Sequence, residues 1–309
     1  MKFSFIGGTY RGYELLKALL NAGHIPDSIV ILKEDEHEVL KCSSQITELA
    51  QLHNIPFGCK KKLTDTDYKN YETASLDFII VCGWRTLINP ELNKSLKFGM
   101  VAAHDSLLPK YRGFAPINWA IINGEKECGV TLILINNGET DSGKIISQKA
   151  VVINDNEYGW DVYQNVIKAT IEIYLEFFSN FENNKIVTSE QNELEATYTC
   201  KRTPDDGRID WNKSSKIIYD LIRAIAHPYP GAFCEFDSKR FSIRKAELGK
   251  NNEKKFSGRI PGRVISINTD SIEVLCGQGT ISILEWECKN TGEVSSPNKV
   301  VKSITAKLI

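Results

Sequence analysis

Length and composition place this chain among ordinary globular proteins and leave room for two domains. Of its 309 residues, 42% are hydrophobic and 25% are charged, which excludes disordered and membrane-spanning classes. The 38 basic and 39 acidic residues nearly cancel, so a nucleic-acid partner would need a local basic patch. The first apolar run stops at Gly7, too short for a signal peptide or a membrane span, and this predicts a cytoplasmic protein.

The first half of the chain alternates between strand-like and helix-like segments. The strand-like runs are 2–6, 28–33, 77–84, 99–104 and 128–135, and the helix-like runs are 13–23, 37–54, 115–124 and 158–182. The strands are continuously apolar, as in a sheet that is covered on both faces. This alternation predicts an α/β domain with a parallel sheet and helices on both sides.

Near residue 200 the character of the sequence changes. The stretch "KRTPDDGRIDW" (201–211) is polar and rich in turn residues, which predicts a domain boundary. Residues 214–227 are helical in pattern, with Ser214 or Ser215 as the N-cap and "PYPG" as the stop. After residue 232, five short alternating runs separated by Gly, Asn or Asp turns predict a small antiparallel barrel.

The eight cysteines give no sign of a metal or redox site. They are widely spaced and contain no Cys-x-x-Cys pair, which excludes the common zinc and dithiol motifs. Cys82 and Cys128 fall in apolar runs, so we predict that they are small core residues.

The glycine cluster "GGTYRG" (7–12) follows the first predicted strand. It lacks the G-x-G-x-x-G phosphate fingerprint, yet a turn at the mouth of a parallel sheet is a common ligand position. Two interpretations remain open, a simple strand-to-helix turn or a loop that lines a ligand site. In the second, Arg11 would face an anion.

A single histidine ends the predicted strand 99–104 and opens a loop that contains Pro109 and Gly113. Catalytic groups of open α/β sheets lie at the carboxyl ends of strands, although a core histidine is the ordinary alternative. The next strand ends in a polar turn that carries Asp141. If the two strands are parallel neighbours, the Asp141 carboxylate lies level with His104, orients its ring and stabilises its cation.

The strings "HDSLLPKYRGFAPINWAIINGE" and "GVTLI…ETDSGKII" resemble the folate-dependent formyltransferases, which act on methionyl-tRNA, glycinamide ribonucleotide or aminosugars. The resemblance runs nearly end to end. Residues 201–234 are similar to the formyltransferase half of the bifunctional polymyxin-resistance enzyme, which formylates a UDP-4-amino-4-deoxy-arabinose. The resemblance to the family implies a Rossmann-like formyltransferase domain (1–200), followed by a C-terminal domain (201–309) with a linker helix and a small, mainly antiparallel β-barrel.

The resemblance also implies the chemistry. An amine attacks the formyl carbon of 10-formyltetrahydrofolate, the donor co-substrate, and no metal takes part. His104 and Asp141 match the catalytic residues of the family. The resemblance implies that His104 donates to the oxyanion and that Asp141 keeps it protonated. The family has Asn two residues before the histidine, where this chain has Ala102. This departure indicates a natural subgroup, which we favour, an engineered substitution, or an inactive relative.

Binding residues follow from the same resemblance. The implied cofactor-binding residues are Thr86, Leu87, Ile88, Ser106, Leu107, Leu108, Pro109, Gly138, Glu139 and Thr140. The implied substrate-binding residues are Gly8, Thr9, Arg11, Arg112 and Phe114, the last standing where the polymyxin-resistance relative has Arg. Core packing is the alternative for Leu87, Ile88 and Leu107.

The loop "KEDEHE" (33–38) indicates which class of molecule accepts the formyl group. The tRNA-specific relatives have a basic loop in this place, whereas four acidic residues here would repel a phosphate backbone. Glycinamide ribonucleotide relatives are usually shorter and lack the second domain. We therefore predict an N-formyltransferase of surface-polysaccharide biosynthesis that acts on a nucleotide-linked aminosugar, without tRNA, other nucleic acid or membrane as partner. A homodimer stays open, as do two alternatives, a methionyl-tRNA formyltransferase and an impaired binding relative.

Overall fold

The computed structural model describes residues 1–36, 38 and 40–309, and these form two compact units. The first unit comprises Met1–Gly113, Cys128–Val151 and Gln164–Thr199, and the second comprises Phe114–Glu127, Val152–Tyr163 and Cys200–Ile309. The domain boundary at residue 200 stays a prediction. Within the described part of the chain, no helix has the length and apolar character needed to cross a bilayer.

A seven-stranded sheet organises the first unit. Its strands are β1 (Phe3–Gly7), β2 (Ser28–Leu32), β3 (Phe57–Lys60), β4 (Phe78–Cys82), β5 (Gly99–His104), β7 (Glu127–Leu134) and β8 (Ile145–Val152). A separate two-stranded sheet consists of β6 (Arg112–Gly113) and β9 (Tyr198–Thr199). The order is β3-β2-β1-β4-β5-β7-β8, and β1 to β5 pair in parallel. The predicted Rossmann-like α/β sheet is confirmed.

One strand of this sheet runs against the expectation. β7 pairs antiparallel with β5, so that His104 lies opposite Thr131 and Ala102 lies opposite Ile133. β7 therefore starts beside the carboxyl end of β5 and returns along it. The expectation of parallel neighbours at this place is wrong.

The helices are α1 (Thr9–Asn21), α2 (Ser43–Leu52), α3 (Asp65–Thr73), α4 (Pro116–Ile122), α5 (Gly159–Glu182) and α6 (Ser215–Ile225). Helix α2 begins later than the predicted residue 37, although His37 and Val39 lie outside the described residues. The Glu34 carboxylate accepts hydrogen bonds from the Cys42 and Ser43 amides at 2.6 and 2.8 Å. These are amides that a helix N-terminus leaves unpaired, which explains the later start.

The core of the first unit is apolar and aromatic. Phe3 and Phe78 are stacked with ring centroids 5.4 Å apart, and Phe178 packs edge-on against both. Cys82 and Cys128 are buried, as predicted. Edge-to-face contacts add to the free energy gained by burying these rings.

An antiparallel sheet forms the second unit. Its strands are β10 (Ala232–Phe236), β11 (Lys239–Leu248), β12 (Val264–Ile267), β13 (Ile272–Leu275), β14 (Thr280–Cys288) and β15 (Val294–Ser295). The order is β10-β11-β14-β13-β12, with β15 paired to β14, so the predicted antiparallel strands are confirmed. Helix α6 begins after Ser214, whose hydroxyl oxygen accepts from the Ile217 amide at 3.3 Å. Of the two N-caps considered, Ser214 is the one used.

Candidate active site

His104 is the last residue of β5 and lies at the carboxyl end of the parallel strands, with only 9% of its surface exposed. Its Nε2 is 2.8 Å from the carbonyl oxygen of Tyr111. A carbonyl oxygen only accepts, so Nε2 must carry the proton. The ring is therefore held in one tautomer, with Nδ1 on the opposite side.

Asp141 lies on that opposite side. Its Oδ2 is 3.4 Å from His104 Nδ1 and accepts a hydrogen bond from the Gly113 amide at 3.0 Å. The two residues meet as expected, although the argument from parallel strands does not apply. The loop after β7 instead brings Asp141 back to β5, with the backbone of Asp141 in the left-handed region at φ 60°.

Burial lowers the pKa of His104 from its ordinary value of 6.5, and this is the dominant effect. The Asp141 carboxylate and the Tyr111 carbonyl act in the opposite direction, whereas the cations of Arg11 and Arg112 lower the pKa further. The net shift is downward, which favours the neutral ring near neutral pH. This direction is opposite to the expectation that Asp141 keeps His104 protonated, which stays a prediction. In the neutral ring, Nδ1 carries a lone pair that can accept a proton.

The loop after His104 is fixed by internal hydrogen bonds. Ser106 and Leu108 are each 3% exposed. The Thr131 hydroxyl donates to the Ser106 carbonyl at 2.6 Å and accepts from the Leu108 amide at 3.1 Å. Leu107 and Pro109 are half-buried. Contact with a cofactor stays a prediction for all four residues, and burial restricts Ser106 and Leu108 to a supporting position.

The placement of Arg112 speaks against the predicted substrate contact. The side chain is fully buried, and its five N–H groups all donate within the protein, to Gln191, Glu193 and Tyr198. A guanidinium has five N–H donors and no acceptor, so none remains for a ligand. Arg112 holds the residues around Gln191 and Glu193.

The glycine-rich turn packs closely against β4. A Cβ on Gly83 would come within 2.2 Å of the Gly8 carbonyl oxygen, so the two turns touch through their backbones. Arg11 forms an ion pair with Asp105 and donates to the Ala103 carbonyl at 3.4 Å. Gly8 is buried and Thr9 half-buried. These contacts favour the strand-to-helix turn, and Arg11 already has an anionic partner beside His104.

Most of the remaining predicted binding residues lie in the turn after β4 and in the loop after β7, where their side chains are exposed to solvent. Leu87 is 87% exposed, which excludes core packing for it, while Ile88 is 7% exposed and belongs to the core. Thr86, Gly138, Glu139 and Thr140 are exposed. Phe114 belongs to the second unit and is 56% exposed. Contact of these residues with a cofactor or substrate stays a prediction.

The acidic stretch 33–38 carries less free charge than its composition indicates. Asp35 pairs with Lys61 at 2.5 Å, and Glu38 forms a two-fold ion pair with Arg85, which holds the pKa of that carboxyl below its ordinary value. Glu34 caps α2. Two of the four acidic groups, Asp35 and Glu38, therefore have cationic partners, and the predicted repulsion of a phosphate backbone is weaker than the sequence implied.

Ala102 sits two residues before His104 on the same face of β5. It packs against an apolar cluster that includes Val81, Ile88 and Met100, and Trp84 and Ile135 pack against the same cluster. Ala102 itself is half-buried, so a polar amide at this position would contact the apolar cluster on one side.

Sequence reasoning missed three groups that shape this site, namely the Tyr111 carbonyl, the Gly113 amide and the Gln191 side chain. The first two are main-chain groups, which residue identity does not reveal. Gln191 lies 50 residues from Asp141 in a stretch without periodicity, and the Nε2 of Gln191 donates to the Asp141 carbonyl at 2.7 Å. The sequence carries no signal for that contact.

Comparisons with family models and with known proteins all point to the same family. Residues 15–178 match the family model described as formyl transferase, and residues 201–299 match the model of the formyl transferase C-terminal domain. Methionyl-tRNA formyltransferase of Alkaliphilus oremlandii is 30% identical over 290 residues, which cover 92% of this chain and 91% of that protein.

Two further relatives bear on the acceptor. The bifunctional polymyxin resistance protein ArnA of Wigglesworthia glossinidia brevipalpis is 30% identical over 95% of this chain, and the match spans 45% of ArnA, less than half of its length. The N-formyltransferase of Helicobacter canadensis, crystallised with folinic acid and dTDP-3-aminofucose, has a TM-score of 0.70 at 22% identity, covering 92% of this chain and 99% of that one. The structural likeness shows a shared fold.

Proposed function

The chain belongs to the formyl transferase family, and from this premise we propose that it is a nucleotide-sugar N-formyltransferase. It takes the formyl group of 10-formyltetrahydrofolate and transfers it to the amine of a 3-amino or 4-amino deoxysugar linked to a nucleotide. We assign the reaction to the cytoplasm and to the synthesis of a surface polysaccharide. The observation that carries formyl transfer is the pair of His104 and Asp141 at the carboxyl end of the parallel strands. The choice of a nucleotide-linked sugar as acceptor rests on the polymyxin-resistance relative and on the sugar-bound structural neighbour.

The geometry of this pair supports a defined proton path. Neutral His104 accepts the proton of the attacking amine on Nδ1, because Nε2–H is occupied by the Tyr111 carbonyl. The Asp141 carboxylate stabilises the imidazolium that forms. The new bond joins the amine nitrogen to the formyl carbon, the bond from that carbon to the folate nitrogen breaks, and Nδ1–H returns the proton to the folate nitrogen. Because Nε2–H donates to the Tyr111 carbonyl, the implied hydrogen bond to the oxyanion comes from Nδ1–H, which is present only in the cationic ring.

Two exposed turns support the binding of a folate donor. Leu87, in the turn after β4, offers apolar surface, and residues 138–140 offer exposed polar and main-chain groups next to Asp141. Apolar walls with a few polar groups are typical of sites for small ligands.

A methionyl-tRNA formyltransferase is the second candidate, and two observations favour it. The match to the Alkaliphilus relative covers 91% of that protein's length, and two of the four acidic residues expected to repel tRNA, Asp35 and Glu38, form ion pairs. The nucleotide-sugar proposal rests on the likeness of residues 201–234 to the polymyxin-resistance relative and on the sugar-bound structural neighbour.

A formylation assay tests the proposal. Purified protein is incubated with 10-formyltetrahydrofolate and a panel of UDP- and dTDP-linked 3-amino and 4-amino deoxysugars, and formyl products are measured by mass spectrometry. We expect transfer to at least one sugar, and His104→Asn should lower kcat by about 10²-fold or more because the base is lost.

His53→Asn makes the same change at the C-cap of α2 and serves as the matched control, with activity retained. Absence of transfer to every sugar of the panel would contradict the proposal, as would a His104→Asn variant that keeps its kcat.

A further inference from the structure

A segment of the first unit supports the loop that carries Asp141. In this segment, residues 189–199, Ser189 exchanges two backbone hydrogen bonds with Ile145 at 2.8 and 2.9 Å. At its other end, β9 pairs in parallel with β6. The 189–199 segment is therefore anchored at both ends, which gives the side chains between them defined positions.

Gln191 lies in this segment and is 9% exposed. Its Nε2 donates to the carbonyl oxygens of Asp141 and Gly143, each at 2.7 Å. Its Oε1 accepts from Nε and Nη2 of Arg112 at 3.1 and 2.7 Å. Carbonyls only accept and a guanidinium only donates, so a flipped amide would lose all four hydrogen bonds.

These contacts bear on the position of the Asp141 carboxylate. The backbone of Asp141 has φ 60°, a region that residues other than glycine enter at a cost of about 1 kcal/mol or more. Gln191 binds the main chain at Asp141 and again at Gly143, so it holds the loop on both sides of Ser142. The carboxylate is thereby kept 3.4 Å from His104 Nδ1.

We propose that Gln191 is a positioning residue, which fixes the Asp141 carboxylate against His104 by binding the Asp141 and Gly143 carbonyls with one amide that Arg112 orients. The inference rests on the proposed function, in which Asp141 stabilises the His104 cation. Gln191 acts through the main chain of the loop and through Arg112.

The variant Gln191→Glu isolates this role. A glutamate has nearly the same shape and still accepts from Arg112, but it presents oxygen instead of N–H to the two loop carbonyls, which it repels. Gln191→Met is the second variant, which removes the donors without adding charge and also removes the oxygen that accepts from Arg112. The matched control is Glu190→Gln, because Glu190 pairs with Lys144 at 2.8 Å in an exposed contact to the same loop.

A double-mutant cycle with Asp141→Asn gives the kinetic test. We expect Gln191→Glu to lower kcat by on the order of 10-fold to 10²-fold, as small displacements of reacting groups do, with a smaller effect on either KM. In the Asp141→Asn background the same change should lower kcat by less than about threefold, because the group it positions is already lost. Glu190→Gln should leave kcat unchanged. Equal losses in both backgrounds would make Gln191 purely structural and overturn the inference.

A second measurement needs no substrate. The pKa of His104 is followed by NMR in the ligand-free protein, in all four members of the cycle. The charged groups that face His104 are Asp141, Arg11 and Arg112. The charge added by Gln191→Glu changes the His104 pKa directly in both the native and the Asp141→Asn background. Subtracting the two pKa changes therefore leaves only the effect that acts through Asp141. We expect the change in the native background to be more negative than that in the Asp141→Asn background by at least about 0.5 unit.

The two measurements separate the inference from the proposed function. Coupling in the NMR cycle without formyl transfer to any acceptor would uphold the positioning role and reject the function. Formyl transfer without coupling in either cycle would uphold the function and reject the positioning role. Gln191→Met should follow Gln191→Glu in direction, and an uncoupled Gln191→Met variant with a native melting temperature would also count against the inference.

Discussion

At the residue scale, the protonation state of His104 determines which step it can perform. Burial lowers its pKa below 6.5, and the Tyr111 carbonyl fixes the proton on Nε2. A neutral ring with a free Nδ1 lone pair accepts a proton before it donates one. The sequence predicted the pairing of His104 with Asp141, whereas the burial that favours the neutral ring is a property of the fold.

This charge state predicts the pH dependence of the reaction. A base is inactive when protonated, so kcat/KM should fall on the acid side with a midpoint below pH 6.5. Asp141→Asn removes the carboxylate that raises the pKa of His104, and the midpoint should therefore move to lower pH while the plateau rate falls. The measurement is kcat/KM from pH 4.5 to 9. A midpoint above 6.5, or a shift to higher pH in Asp141→Asn, would contradict the assignment of His104 as the base.

Ala102 offers a second test at this scale. Its side chain packs against an apolar cluster, so an asparagine there would place an amide among apolar groups. We expect Ala102→Asn to leave kcat unchanged or to lower it, which fits a natural subgroup built around a small residue. A rise of about 10-fold to 10³-fold, the contribution of one preorganised donor, would show instead that a lost donor had been restored. The comparison uses initial rates with both substrates saturating.

At the scale of secondary-structure elements, apolar patterns predicted most strands and helices. The runs around Phe78 and Met100 became β4 and β5, and "APINWAIING" became α4. The start of α2 was missed because the side chain that binds its first amides, that of Glu34, lies before the predicted helix. Periodicity indicates the body of a helix, whereas its first residue depends on which group satisfies the free amides.

The direction of β7 shows a second limit of the sequence. Its apolar run is that of a strand buried on both faces, and such a run is the same in parallel and antiparallel pairing. His104 nevertheless meets Asp141, because the loop after β7 returns to β5 and the 189–199 segment holds it there. The site was predicted from its motif residues, whereas the contacts that hold Asp141 were visible only in the fold.

At the scale of the whole molecule, residues 15–178 and 201–299 match two family models in that order, formyl transferase and its C-terminal domain. The two compact units divide the chain differently, because Phe114–Glu127 and Val152–Tyr163 belong to the second unit. The nearly balanced charge gives the chain no overall field to attract a polyanion. The choice of formyl acceptor depends instead on the local surface. There the ion pairs of Asp35 and Glu38 reduce the negative charge that would repel tRNA, so methionyl-tRNA stays the second candidate acceptor.

A competition experiment tests the nucleotide-sugar assignment most directly. The protein, 10-formyltetrahydrofolate, the best aminosugar nucleotide of the panel and charged initiator Met-tRNA are combined at physiological salt, because phosphate contacts depend on ionic strength. The ratio of the two formylated products gives the ratio of kcat/KM values. We predict that the sugar is formylated with at least about a 10²-fold higher kcat/KM. Preferential formylation of the tRNA would contradict the account and establish the second candidate.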